Sequence, residues 1–325
     1  MKETVCSFGP NNSMFGVLTT PEESVRVEGA PIALILNAGI VHRIGPFRMH
    51  VDIARQLSDK GISTLRLDLS GLGGSAPRTG KVETEERAQL DVSDAMDCLT
   101  QQTGVEKFVL LGLCSGAYNA HQVAVKDQRI VGSVFMDGIV FRTVGFFFRH
   151  QIGRFFRFRF WRNAIKRRFL LSRSENSEAD GNSLAESEFF GSDLSKDSVV
   201  NDLKGLLNRG VELLFLYTDG YDDICGRSQF KEMYGLRPDS GQLQVEYYPK
   251  SEHTRSVWSK TARSRVHELR VGSKIGSGGW PSNQKRKRMR SQPLIYASPL
   301  EHRVADLLIC VCNCTVLELV VDEAQ

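Results

Sequence analysis

The hexapeptide Gly112-Leu113-Cys114-Ser115-Gly116-Ala117 constrains this chain more than any other stretch. It directly follows the apolar run Lys107-Phe108-Val109-Leu110-Leu111 and precedes a helix-compatible segment beginning near Ala117, so it reads as strand, sharp turn, helix. So abrupt a turn puts its central residue in strained backbone and needs small residues two positions to either side, where strand and helix approach closely. Gly112 and Gly116 meet that need around Cys114. Centring the turn on Ser115 would put bulky Leu113 where a small residue is required. Cys114 is therefore favoured as the nucleophile, with Ser115 the alternative. Taken alone, the six residues also fit a tight turn without chemistry.

Further blocks surround it in a consistent order. Ser63 to Asp68 alternates like a strand and is followed by Asp68-Leu69-Ser70-Gly71-Leu72-Gly73-Gly74-Ser75, an Asp-x-x-Gly-x-Gly-x-Ser pattern. Upstream, Pro31 to Leu36 is a buried-strand run ending in Asn37-Ala38-Gly39-Ile40. Downstream, Val211 to Tyr217 ends in the acidic cluster Asp219, Asp222 and Asp223, and Leu243 to Tyr248 ends just before His253. Nucleophile, acid, histidine is the chain order of one large enzyme fold. On these blocks, with Leu36 to Pro46, residues from roughly 14 to 270 resemble a bacterial α/β-hydrolase of the serine-aminopeptidase-like or exosortase-associated kind. The resemblance implies a mostly parallel sheet with helices on both faces and an inserted cap.

Composition is compatible with that reading. With 325 residues and 41% hydrophobic residues the chain can bury a sizeable core in one large domain. The amino-terminal residues lack the apolar core of a signal peptide, and no window has the uninterrupted apolar length of a spanning helix, so a cytoplasmic location is expected. Seven cysteines, an odd number, argue against a secreted disulfide framework and for reduced thiols. The formal charge of +4 is modest, and no nucleic-acid partner is expected from it.

Strands alternating with helices predict four parts along the chain. Residues 1–140 carry the first part of the core, with strands Met14 to Leu18, Ile32 to Leu36, Thr64 to Leu67, Phe108 to Leu111 and Ile130 to Met136. Helices are expected at Phe47 to Lys60, Thr84 to Gln101 and from the hexapeptide to Val125. Residues 141–198 break the alternation: Phe141 to Leu171 is crowded with Phe and Arg, and the stretch after it is too polar for a packed core. Residues 199–272 resume it, with helices Val199 to Asn208, Gln229 to Tyr234 and Val257 to Arg270 around the last two strands. Residues 273–325 read as a linker, the basic run Lys285 to Arg290 and a short apolar stretch, a disordered tail that does not continue the fold.

The resemblance assigns the chemistry. Cys114, at the amino end of a helix and near a histidine that would both stabilise a thiolate, attacks an acyl carbon and forms a thioester acyl-enzyme. His253 is the base, favoured over His267 and His302 by chain order and by its place after a strand. Asp222 has the spacing most usual for the orienting acid, and Asp219 at the strand's immediate end is the alternative. Clustered Asp at a strand end is otherwise ordinary turn chemistry. The oxyanion hole takes the amide of Ser115 and that of Gly39 or Ile40. His42 and Arg43 either meet a substrate carboxylate or phosphate or are plain surface residues. The Phe/Arg segment, Phe141 to Leu171, is an amphipathic lid over an acyl cleft or a patch touching an anionic surface, lipid or nucleic acid; its position favours the lid. No cofactor is expected, and Cys310, Cys312 and Cys314 lack the second ligand cluster a metal site would need.

The expected activity is hydrolysis of an ester, thioester or lactone, the cysteine resembling the dienelactone-hydrolase variant of the fold. An acyltransferase with the same intermediate and a non-catalytic binding protein on the same scaffold are the alternatives.

Overall fold

Strands that read as unbroken apolar runs must be covered on both faces, and alternating ones on a single face. Both kinds occur here. The computed structural model describes residues 1–78, 84–146, 195–218, 223–238 and 240–248. Its strands are β1 (Lys2–Phe8), β2 (Met14–Thr20), β3 (Ile32–Ile35), β4 (Thr64–Leu67), β5 (Phe108–Leu113), β6 (Ile130–Met136), β7 (Glu212–Thr218) and β8 (Leu243–Tyr248). They form one sheet in the order β1-β2-β4-β3-β5-β6-β7-β8. β1 and β2 run antiparallel and every pairing from β4 onward is parallel, which is the mostly parallel sheet expected. β3, β4, β5 and β7 are buried at every position, whereas β2 and β8 alternate.

The helices are α1 (Met49–Asp59), α2 (Thr84–Thr103), α3 (Ser115–Lys126), α4 (Lys196–Asn208) and α5 (Ser228–Tyr234). Two separate apolar clusters lie on the two sides of the sheet. One joins Leu34, Leu110 and Phe215 to side chains of α2, α3, α4 and α5. The other joins Ala33, Ile35, Val109, Leu111 and Leu214 to Met49, Ile53, Ala54 and Leu57 of α1. The period-two alternation of the strands feeds both layers, so helices cover both faces. None of the described helices is long and apolar enough to cross a membrane.

Element ends depart from the sequence reading in informative ways. The strand Lys2–Phe8 was not expected; most of its residues are exposed and only Cys6 and Phe8 are buried, too short a pattern to stand out. Helix α1 starts at Met49 rather than Phe47, because Phe47 and Arg48 have φ of 49° and 66°, outside the helical region. The segment expected as a lid lies, from 147 to 194, outside the described residues. So do the helix expected at Val257 to Arg270 and the tail beyond it.

The order of strands also places a crevice. From β3 the chain crosses through α1 to β4 on one side, and from β4 through α2 back to β5 on the other. The carboxyl ends of β3 and β5 are therefore neighbours whose connections leave to opposite faces, the place where open α/β sheets bind ligands.

The β5–α3 turn tolerates almost nothing larger than glycine beside it. A Cβ on Gly112 would lie 2.1 Å from the Gly116 carbonyl oxygen, and one on Gly116 would lie 2.5 Å from the Asn37 carbonyl oxygen. Both obstacles are backbone, so the chain rather than a side chain would have to move. Gly112→Ala is expected to cost at least about 2 kcal/mol of stability, within the range of overpacking a tight interior. Urea unfolding checks it; a variant as stable as the parent would show that the turn can open freely.

A second consequence concerns acid. His50, in the first turn of α1, is fully buried and neither ring nitrogen has a hydrogen-bond partner among the described residues. Burial, with help from the Arg66 charge, lowers its pKa from 6.5 to about 4. The unfolded chain thus binds a proton that the folded one refuses, and stability complete above pH 6.5 is lost as the pH falls toward 4. Between pH 7 and 4.5 this group alone should remove about 2–3 kcal/mol. Burial also lowers the pKa of His121, opposed by Asp202 3.5 Å away, so a residual slope of the same sign is expected without His50. Urea midpoints across that interval should shift less in His50→Leu than in the parent; equal shifts would place the titration elsewhere.

Candidate active site

Cys114 occupies the turn between β5 and α3 with φ 56° and ψ −119°, a backbone conformation that L side chains rarely adopt. Holding it costs on the order of 1–3 kcal/mol, so the surroundings must over-determine it. They do so from three sides. The Cys114 amide donates to the Met136 carbonyl at the end of β6 (2.9 Å), and its own carbonyl accepts from the amides of Ala117 (3.0 Å) and Tyr118 (3.3 Å). Gly112 and Gly116 close the third side as described. The thiol is half-buried and free, at the N-cap of the twelve-residue helix α3.

Ser115 is the first helical residue, and its side chain is turned to another task. The backbone N–H of Gly39 donates to its Oγ at 2.7 Å, across 76 residues of sequence. Gly39 has φ 56° and begins a tight turn closed by the Val41 amide on the Ala38 carbonyl (3.1 Å). Of the two amides expected from this loop, that of Gly39 is therefore engaged. Ile40 is 73% exposed, and its amide has no partner among the described residues.

The loop carrying both is fastened to one buried carboxylate. Asp68, fully buried at the end of β4, accepts from the Arg43 amide (2.6 Å), the Arg43 guanidinium (2.5 Å), the Gly74 amide (3.0 Å) and the Asn37 side-chain amide (3.3 Å). Asn37 also donates to the Val41 carbonyl (2.9 Å) and accepts from the Leu69 amide (2.8 Å). The Asp-x-x-Gly-x-Gly-x-Ser pattern is thereby explained. A Cβ on Gly73 would lie 2.2 Å from the Asp68 carboxylate, and Ser75 Oγ donates to the Asp68 carbonyl (2.7 Å) while accepting from the Phe15 amide (2.9 Å). Arg43, considered above for substrate, has its guanidinium on Asp68 with a third of the side chain exposed. His42 is exposed, its Nδ1 3.4 Å from the Ile44 amide.

At the ends of β6 and β7 the structure adds residues that sequence reasoning passed over. Asp137 is buried with φ 44° and accepts from both the amide (2.7 Å) and hydroxyl (2.6 Å) of Thr218, the last residue of β7. Gln229 of α5, fully buried, donates to the carbonyls of Asp223 (2.7 Å) and Phe141 (3.4 Å) and accepts from the Cys225 amide (3.1 Å). Thr218 and Asp223 are thus each tied down, and Asp223 itself meets Arg142 at 2.6 Å. An Asp-Gly pair closing an apolar run was the one signal that could have pointed to Asp137. Asp219, Asp222 and His253 lie outside the described residues.

A family model agrees with the architecture. The family model described as "alpha/beta hydrolase fold" matches residues 32–187. No curated protein sequence matches the chain. Among solved structures, the naproxen esterase (carboxylesterase NP) of Bacillus subtilis is similar at 16% identity, covering 83% of this chain and 91% of that one, with a TM-score of 0.48. A putative hydrolase of Bacillus subtilis is similar at 15% identity, covering 82% and 91%, with a TM-score of 0.49. An α/β serine hydrolase without lid from Xanthomonas campestris is similar at 13% identity, covering 84% and 92%, with a TM-score of 0.45. The mostly parallel sheet of the described strands with its helical layers, and the family match through β3 to β6, give this chain the α/β-hydrolase fold.

Proposed function

We propose that the chain hydrolyses esters, thioesters or lactones through a covalent acyl-enzyme on Cys114. The observation that carries the reading is the strained backbone of Cys114 at the head of α3, hemmed by two glycines that cannot hold a Cβ. Such strain exposes a side chain at the carboxyl edge of the sheet, where the crevice lies. Ser115 is the weaker candidate, since its backbone is helical and its hydroxyl accepts the Gly39 amide.

In this mechanism the Cys114 sulfur adds to the acyl carbon while His253 takes the thiol proton, and the carbonyl electron pair moves onto oxygen. Backbone amides, including that of Ser115, receive the oxyanion. Collapse expels the alcohol, thiol or ring oxygen, which takes the proton from His253 and leaves a thioester. Water, deprotonated by the same imidazole, then cleaves the thioester and returns the thiol. Asp222, or Asp219 in its place, holds the imidazole tautomer and stabilises the imidazolium. His42 is a substrate contact in this reading, Arg43 a bracing residue with one exposed edge. The blocks Leu36 to Pro46 and Gly112 to Ala117 support the serine-aminopeptidase-like or exosortase-associated kind, and the odd number of cysteines suits a reducing compartment such as the cytoplasm. Phe141 to Leu171 serves as the acyl-side cap or an anionic-lipid contact.

Cys114→Ala should lower turnover of p-nitrophenyl acetate by at least about a thousandfold, as expected when a covalent nucleophile is lost. Iodoacetamide should label Cys114 ahead of the other thiols in intact-mass and peptide mapping. Full turnover in Cys114→Ala, or acylation trapped on Ser115, would overturn the assignment. Asp222→Asn and Asp219→Asn compared side by side identify the acid, the larger fall in kcat marking it.

A further inference from the structure

We infer that Ser115 is a positioning residue whose hydroxyl latches the loop after β3 across the Cys114 turn, taking up the Gly39 N–H and leaving the Ile40 N–H as that loop's donor to the oxyanion. The inference rests on the acyl-enzyme reading for the word oxyanion, but not for the latch itself.

An amide carries one hydrogen, and the Gly39 hydrogen is committed at 2.7 Å to Ser115 Oγ. That contact is built rather than incidental. The Ser115 side chain is nearly buried, and the next residue, Gly116, lies so close under the loop that a Cβ there would reach the Asn37 carbonyl oxygen at 2.5 Å. Loop and helix are therefore pressed together at Gly116 and hydrogen-bonded at Gly39. On its far side the loop is held by Asp68 and Asn37. Gly39 and Ile40 are the central residues of the turn closed by Val41 on Ala38, with positive φ at Gly39 and not at Ile40, the pattern of a type II′ turn.

Two further observations locate the donor. The space over Gly39 is open: a Cβ there would meet nothing within 4 Å, so glycine is needed for its φ and not for room. Ile40 follows at the exposed tip, with no amide partner among the described residues. On the helix side the amides of Ser115 and Gly116 precede the first intrahelical bonds, which begin at Ala117. Ser115 thus contributes twice: its N–H faces the reacting oxygen, and its hydroxyl sets the distance to the second donor by holding the loop.

The test follows Gly39 by hydrogen exchange in protein labelled with 15N-glycine, together with p-nitrophenyl acetate kinetics, for the full chain and three variants. Ser115→Ala should speed exchange of the Gly39 amide and lower kcat by about tenfold with KM nearly unchanged, since one hydrogen bond of this kind is worth about that factor. Ser115→Thr, which keeps the hydroxyl, should restore both. Ser115→Cys, a weaker acceptor, should lie between and serves if the alanine variant does not fold. Unchanged Gly39 exchange in Ser115→Ala, or in Ser115→Cys if it stands in, overturns the latch. Faster exchange with a raised kcat overturns the choice of Ile40, because it would mean that freeing the Gly39 amide supplies the donor. Turnover surviving in Cys114→Ala would instead sink the acyl-enzyme reading, and the exchange measurement would still decide the latch.

Discussion

Everything near the candidate site leans on a single buried carboxylate. Asp68 ends β4, yet its oxygens are spent on the loop after β3 and on the glycine loop that follows it, through Arg43, Asn37 and Gly74. A charge so placed is costly unless each lone pair finds a donor, and removing it would strand several buried donors at once. The same bonds that satisfy the charge hold two loops at the carboxyl edge of the sheet. Arg43, with a third of its side chain in solvent, completes the set.

Strain at Cys114 is the counterpart of that order. The residue is held in rare backbone by bonds from β6 and from its own helix, and by two glycines whose neighbours are main chain. A rigid sheet makes this affordable. Apolar layers on both sides fix β5 and α3 against each other, so the turn between them has no room to relax. Ser115 then connects strain to order, since it follows Cys114 and touches the loop that Asp68 holds.

A similar economy governs the departure of the chain from the sheet after β6. Ile139 accepts the Tyr234 hydroxyl, Phe141 is met by Gln229, and Thr143 donates to Glu232 at 2.6 Å. Helix α5 therefore anchors residues 139–143 after β6 as well as residues 223–225. Asp137 supplies a separate tie, at Thr218. Residues 139–143 after β6 and residues 223–225 therefore share supports.

Much of the fold was legible in the chain because it depends on local pattern. Apolar runs of strand length, helical spacing between them, and glycines two residues from Cys114 declare the central strands, the helices and the turn without reference to distant partners. β1 was not legible, since its pattern is that of an edge strand and its pairing with β2 supplies what its own residues do not. The site divided in the same way. The turn at Cys114 and the loop at Gly39 could be located from spacing, but the engagement of the Gly39 amide and the task of Arg43 depend on hydrogen bonds across the fold. Asp137 and Gln229 escaped notice because a buried polar residue announces itself only through partners scores of residues away. Sequence by itself determined where the chain turns and which residue bears the strain; only tertiary structure decided which donors are spent and which are free, because hydrogen bonds across the fold are contacts in space and leave no period in the chain.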